Sequence, residues 1–180
     1  GFHIPSGPIA KQLIPRYLEV LDQERHRLIY VVKRNQGLMM QRGNPKNISS
    51  LSSLTADNVR FINRQADSGT RLLFDQLLSS ETIDSEKING YQHEEFTHMA
   101  VAAMIASDVA DVGFGIKPMA EKFNLEFLPL MWEHYCLAVP RNIDHDARIT
   151  TVTTLLQSNE FKHSLIGSAG YDLTQTGNTI

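Results

Sequence analysis

The chain has 180 residues, 42 % hydrophobic and 21 % charged, with a formal net charge of −3. These values fit one folded domain or two small lobes and exclude a disordered tail, a collagen-like repeat and a disulfide scaffold. A single cysteine, Cys136, allows no intrachain disulfide and points to a reducing, cytoplasmic setting, and the longest purely apolar run, Met99 to Ala106, is far short of the roughly 20 residues that cross a bilayer.

In chain order, Leu13, Tyr17, Leu18 and Leu21 recur at helical spacing, with Pro15 either starting or kinking that helix. Leu28 to Lys33 (LIYVVK) reads as a strand, and Gly37 to Gln41 as a second extended piece, closed by the turn residues Arg42-Gly43-Asn44-Pro45. Leu51 and Leu54 close a serine-rich connection. Val59 to Asn63 predicts a strand, followed by a tight loop and a helix carrying Leu72, Leu73, Gln76 and Leu77. A nearly apolar helix is expected over Thr97 to Ser107, a strand over Asp111 to Ile116, and a short helix from Pro118 to Phe123 with proline in its first turn. Two strands, Leu125 to Leu130 and His134 to Val139, end at Pro140. Two helices, about Asp146 to Gln157 and Glu160 to Ile166, precede a glycine-rich end without clear period. Alternation of the two periods favours an α/β protein.

Chemistry concentrates where strands give way to helices. At a helix start the backbone N–H groups are unpaired and carry about half a positive charge, so Ser68, Gly69, Thr70 and Arg71 are candidates to hold an anion through N–H and hydroxyl donors. The alternative is an ordinary cap, with Asp67 or Ser68 closing its own helix. A second helix start is expected at Glu94-Glu95-Phe96-Thr97-His98, with Thr97 and His98 as the candidate contacts; His98 also reads as a half-buried, satisfied histidine. Arg71 either adds charge to the site or turns away into an ion pair.

Other chemistries lack their parts. Glu95-x-x-His98 and Glu160-x-x-His163 have the spacing of helix-borne metal ligands, but a di-iron site needs two further glutamates on a four-helix bundle, and the middle of this chain is strands and turns. No metal and no cofactor are expected. Asp144-His145-Asp146 reads as a helix cap, and Cys136 as core rather than nucleophile. There is no G-x-S-x-G elbow, phosphate-binding loop or C-x-x-C, and Gly113-x-Gly115 lacks the third glycine of a dinucleotide fingerprint. Residues 1–64 carry a charge of +6 and residues 65–180 one of −9; the cations of the first part are scattered, so direct nucleic-acid binding by this segment is not expected.

Several phrases together carry a family likeness: Gly1-Phe2-His3, Gly43-Asn44-Pro45, Asn63-Arg64-Gln65-x-x-Ser68-Gly69-Thr70-Arg71, Gly90-Tyr91-x-x-Glu94-x-x-Thr97-His98-x-x-Val101-Ala102, Ala110-Asp111-Val112-Gly113-x-Gly115, Leu125-Glu126-Phe127-x-Pro129-Leu130 and Gly170-Tyr171-Asp172. The chain resembles the periplasmic-binding-protein-like domain found fused to helix-turn-helix regulators and to molybdopterin-biosynthesis proteins. That resemblance implies a two-lobe α/β fold of type II, with the first lobe formed by residues 1–54 and 128–180, the second by residues 55–127, and ligand held in a cleft. It further implies a non-catalytic module that binds a small anion, molybdate or tungstate above all, as a sensor, with small organic acids also open. The other reading is an assembly module whose cleft has lost its ligand. Two departures stand out: Asp67 occupies a position where relatives usually have glycine, and relatives carry a further amino-terminal section. The first lobe is therefore expected to be incomplete, and the chain to self-associate as a homo-oligomer.

Overall fold

The computed structural model describes residues 1–7, 9–143 and 146–179. Its β-rich runs become seven strands and its helical periods six helices among the described residues. β1 is Phe2–Pro5, α1 Ala10–Leu18, β2 His26–Met40, β3 Phe61–Arg64, α2 Gly69–Ser80 and β4 Glu94–Glu95. Then come α3 at His98–Ala106, β5 at Val112–Ile116, α4 at Lys117–Lys122, β6 at Glu126–Pro140, α5 at Ala147–Gln157, α6 at Asn159–Leu165 and β7 at Tyr171–Asp172. No helix is long and apolar enough to cross a membrane among the described residues.

The chain divides into two units, one of residues 1–34 and 132–180, the other of residues 35–131. The expected boundaries at 54/55 and 127/128 are thus displaced to 34/35 and 131/132. The reason is β2: its residues Gln36 to Met40 pair with β5 and belong with it, and Leu51 and Leu54, buried in a 3₁₀ turn at Leu51–Thr55, follow.

In the first unit β1 lies antiparallel to the middle of β6, pairing Phe2 with Cys136 and Pro5 with Glu133, and β7 pairs with β2 at Lys33 and Arg34. Ile29, Val139 and Leu156 form a core against which Val31, Leu137, Ile149, Val152 and Phe161 pack. Glu133 is fully buried with Arg34 and His3: Arg34 Nε donates to Glu133 Oε1 at 2.9 Å and His3 Nδ1 lies 3.0 Å from Oε2. Cys136 is buried, and that burial pushes its thiol up to about 12, with the Glu133 charge adding to it. A thiolate is the reactive form, so a thiol reagent at pH 8 is expected to label Cys136 only once denaturant unfolds the chain. Rapid labelling of the folded protein would contradict its burial.

In the second unit β3 runs parallel to both β4 and β5, and β2 is antiparallel to β5. α2 covers one face through Phe74, stacked on Phe61 and Phe114 with ring centroids 4.9 and 5.3 Å away. α3 covers the other face with Val101, Ala102 and Ile105 against Met39 and Ile62. The apolar α3 sits close because β5 offers it glycines: a Cβ on Gly113 would stand 2.6 Å from Val101 Cγ1.

Three expectations were resolved differently by the chain. Leu28 to Lys33 and Gly37 to Gln41 are one strand, and so are Leu125 to Leu130 and His134 to Val139, with Pro140 as the last residue of β6, where a missing N–H costs no ladder bond. Of the two places expected for Pro15, the start of the helix or its interior, it takes the interior of α1. Glu94 and Glu95 form the edge strand β4 instead of opening a helix, because their backbone pairs with Asn63 and Arg64. Of the Asp144-His145-Asp146 cap, the first two residues lie outside the described residues; Asp146 caps α5, accepting from the Arg148 N–H at 2.8 Å.

Candidate functional site

Both singled-out segments are helix starts. Ser68, in extended backbone, caps α2: its Oγ accepts from the Arg71 N–H at 3.1 Å and donates to Gln65 O at 2.9 Å. Thr97 caps α3, its Oγ1 accepting from the Ala100 N–H at 3.0 Å. The hydroxyls expected to serve a ligand are therefore engaged in capping. The first backbone bonds of the two helices are Leu72 N–H to Ser68 O and Val101 N–H to Thr97 O. Ahead of them, the N–H groups of Gly69 and Thr70, and of His98 and Met99, occupy the positions that a helix leaves without an internal partner.

The two starts meet. α2 and α3 cover opposite faces of the sheet, yet both begin at the same end of it, and Thr70 Oγ1 lies 3.3 Å from His98 Nε2. Thr70 is buried and His98 half-buried. The missing side chain of Gly115 leaves room for the His98 ring: a Cβ there would stand 3.3 Å from His98 Nδ1. Two N-terminal turns, each with its partial positive charge, are thus fixed against one another by a polar contact and a close approach.

Arg71 does not face this site. Its side chain is buried; Nε donates to Asp75 Oδ1 at 2.8 Å, Nη1 to Glu94 Oε1 at 2.9 Å and to Arg64 O at 3.2 Å, and the guanidinium lies 4.2 Å from the Tyr91 ring centre. Tyr91 in turn donates to Asp75 at 2.7 Å, and burial, followed by that bond, raises its hydroxyl pKa. Arg71 therefore takes the ion-pair alternative and locks α2 to β4. Asp67 is exposed. Arg64 was not singled out from sequence, although it stands in the same phrase: its Nε and Nη2 donate to Glu95 O at 3.2 Å and Phe96 O at 2.9 Å, so it braces the segment that leads into α3.

The two Glu-x-x-His spacings fall differently on the fold. Glu95 lies in β4 while His98 opens α3; Glu160 and His163 do share α6, where His163 Nδ1 lies 2.7 Å from Asn159 O. No cluster of three or more metal-ligating side chains occurs among the described residues. Cavities of about 430 and 440 Å³ lie away from the helix starts, one beside Tyr17, Leu21 and Arg141, the other beside Phe61, His93 and Met104.

A family described as the PBP superfamily domain matches residues 1–157. An uncharacterized protein of Bacillus subtilis (strain 168), YvgK, is 32 % identical over 180 residues; all of this chain is covered, and it spans 58 % of that relative's length. Among solved structures, the regulatory domain of MetR, a LysR-family regulator from N. meningitidis, is similar with a TM-score of 0.60 at 10 % identity, covering 92 % of this chain and 82 % of that one. A substrate-binding domain assigned to a molybdenum ABC transporter from Clostridium difficile has a TM-score of 0.50 at 16 % identity, covering 95 % of this chain and 76 % of that one. At such identities the likeness is one of fold: a mixed α/β arrangement of the type II periplasmic-binding-protein kind.

Proposed function

The chain belongs to the PBP superfamily of domains, and from that premise we propose that it is a non-catalytic ligand-binding module that seats a small anion at the joined starts of α2 and α3. The observation that carries this reading is the 3.3 Å contact between Thr70 and His98, which brings the N-terminal turns of two helices to one place. With the Ser68 hydroxyl spent in its cap and Arg71 in its ion pairs, the donors are the backbone N–H groups of residues 69, 70 and 99 and the O–H of Thr97, whose oxygen accepts in its cap. A tetrahedral oxyanion, molybdate or tungstate first, is the favoured ligand. The similar fold of a domain assigned to a molybdenum transporter supports the ligand class, and that of a regulator's regulatory domain supports a sensor role in a cytoplasmic regulator or molybdenum-cofactor-related protein. A small carboxylate fits the same donors.

Thermal melts with molybdate, tungstate, sulfate, phosphate and small carboxylates test the reading. A ligand at a hundredfold excess over its Kd stabilises the folded form by about 2.7 kcal/mol, which raises the midpoint by roughly 5–10 °C in a chain of this size. Ser68→Glu places a carboxylate at the α2 start and is expected to abolish that ligand-induced shift, whatever it does to the ligand-free midpoint. If no anion moves the wild-type midpoint, the reading fails.

A further inference from the structure

Gln36 is the first residue of β2 in the β2–β5 ladder, opposite Ile116. It is 0 % exposed, and among the described residues neither its Oε1 nor its Nε2 has a hydrogen-bond partner. A buried carboxamide with both ends unmet destabilises a fold that an apolar residue of the same size would serve better. Such a group points to a partner that joins it.

Its position gives the partner's place. Residues directly opposite in an antiparallel ladder share a face. Met39, Gly113 and Gly115 face α3, since a Cβ on Gly113 would meet Val101 and one on Gly115 would meet His98 and Met39. By alternation Gln36, Leu38, Phe114 and Ile116 take the face of α2, whose Phe74 stacks on Phe114. β5 runs parallel to β3, and α2 starts just beyond the end of β3, so Ile116 and Gln36 lie at the end of the sheet where α2 begins. The carboxamide leaves the sheet on the side of the buried Thr70 turn.

We infer that Gln36 is a further ligand-binding residue of this site, its Nε2 donating to the anion that the starts of α2 and α3 hold. The assignment rests on the anion-binding reading above and adds a buried side-chain donor to the backbone N–H groups of the helix starts. A neutral amide suits this place: it supplies a directed N–H without a second charge to neutralise.

Calorimetric titration of the wild type and of Gln36→Met with molybdate, tungstate, sulfate and phosphate tests it. Methionine keeps the length and removes both polar atoms. The variant is expected to melt at or above the wild-type midpoint without ligand and to bind the preferred anion at least tenfold more weakly; Gln36→Glu is expected to lose binding altogether. Should Gln36→Met fail to fold, the side-chain N–H₂ resonances of Gln36 in the wild type replace it, and they are expected to move on saturation. Wild type that binds while Gln36→Met binds equally well, or while those resonances stay still, overturns the Gln36 assignment alone. Wild type that binds none of the four overturns the anion reading and this assignment with it.

Discussion

Glu133→Gln is expected to lower the stability of the protein by about 3–5 kcal/mol, because it strips a buried guanidinium of its counter-charge. Glu133 has no exposed surface, and Arg34 and His3 converge on its two oxygens. In a chain of this length the loss corresponds to a midpoint about 10 °C lower. Burial raises the Glu133 pKa, but the bond from His3 and the charge of Arg34 outweigh it and hold the carboxyl at about 2, below its ordinary 4.5. Between those values the unfolded chain binds a proton that the folded chain does not. The stabilisation from this group is therefore complete above about pH 4.5 and is lost as the pH falls towards 2. Stability measured against pH should show a wild-type acid limb in that window that is flattened in Glu133→Gln. Equal midpoints for the two proteins at pH 7 would contradict the importance of the pair.

Gly90→Ala carries the second large effect. The residue has φ +92, a region that a Cβ makes unfavourable, and the added atom would stand 2.1 Å from the carbonyl oxygen of Phe61. Gly90 cannot back away without breaking neighbouring bonds: Phe61 N–H donates to Asn89 O at 2.8 Å and Asn63 N–H to His93 O at 2.8 Å. The strain and the clash together are expected to cost about 3 kcal/mol or more, detaching residues 89–93 from β3 and loosening β4 beyond them. Gly43→Ala isolates the first contribution, since φ is +77 there but nothing lies within 4 Å of the added atom; about 1 kcal/mol is expected. Denaturant titration of the two variants separates strain from collision. Gly90→Ala as mild as Gly43→Ala would show that the segment gives way freely.

Much of the second unit is legible from local sequence. The β3–loop–α2 step, the capping serine at its head and the apolar α3 with Thr97 before it all follow from periodicity and helix-start chemistry. That the two helix starts can converge from one lobe was within reach of the sequence, but their contact depends on the parallel register of β3 and β5 and on Gly115 admitting His98. The sequence left the direction of Arg71 open for the same reason: Asp75 is visible at helical spacing, but Glu94 comes from a strand with only two residues. Two-residue strands have no period to detect, and β4 and β7 were missed accordingly. Gln36 was invisible because a glutamine in a strand reads as a surface residue until its surroundings are known. The long strands β2 and β6 looked like two each, since Asn35-Gln36 and Glu133 interrupt the apolar pattern, and Gln36 and Glu133 prove to be buried.

The brevity and acidity of β4 also bear on aggregation. A strand at the border of a sheet offers unpaired peptide groups to any passing chain, and two copies meeting border to border would set four carboxylates from Glu94 and Glu95 beside one another. That repulsion, over a stretch of only two residues, discourages the ribbon-like stacking from which fibrils grow.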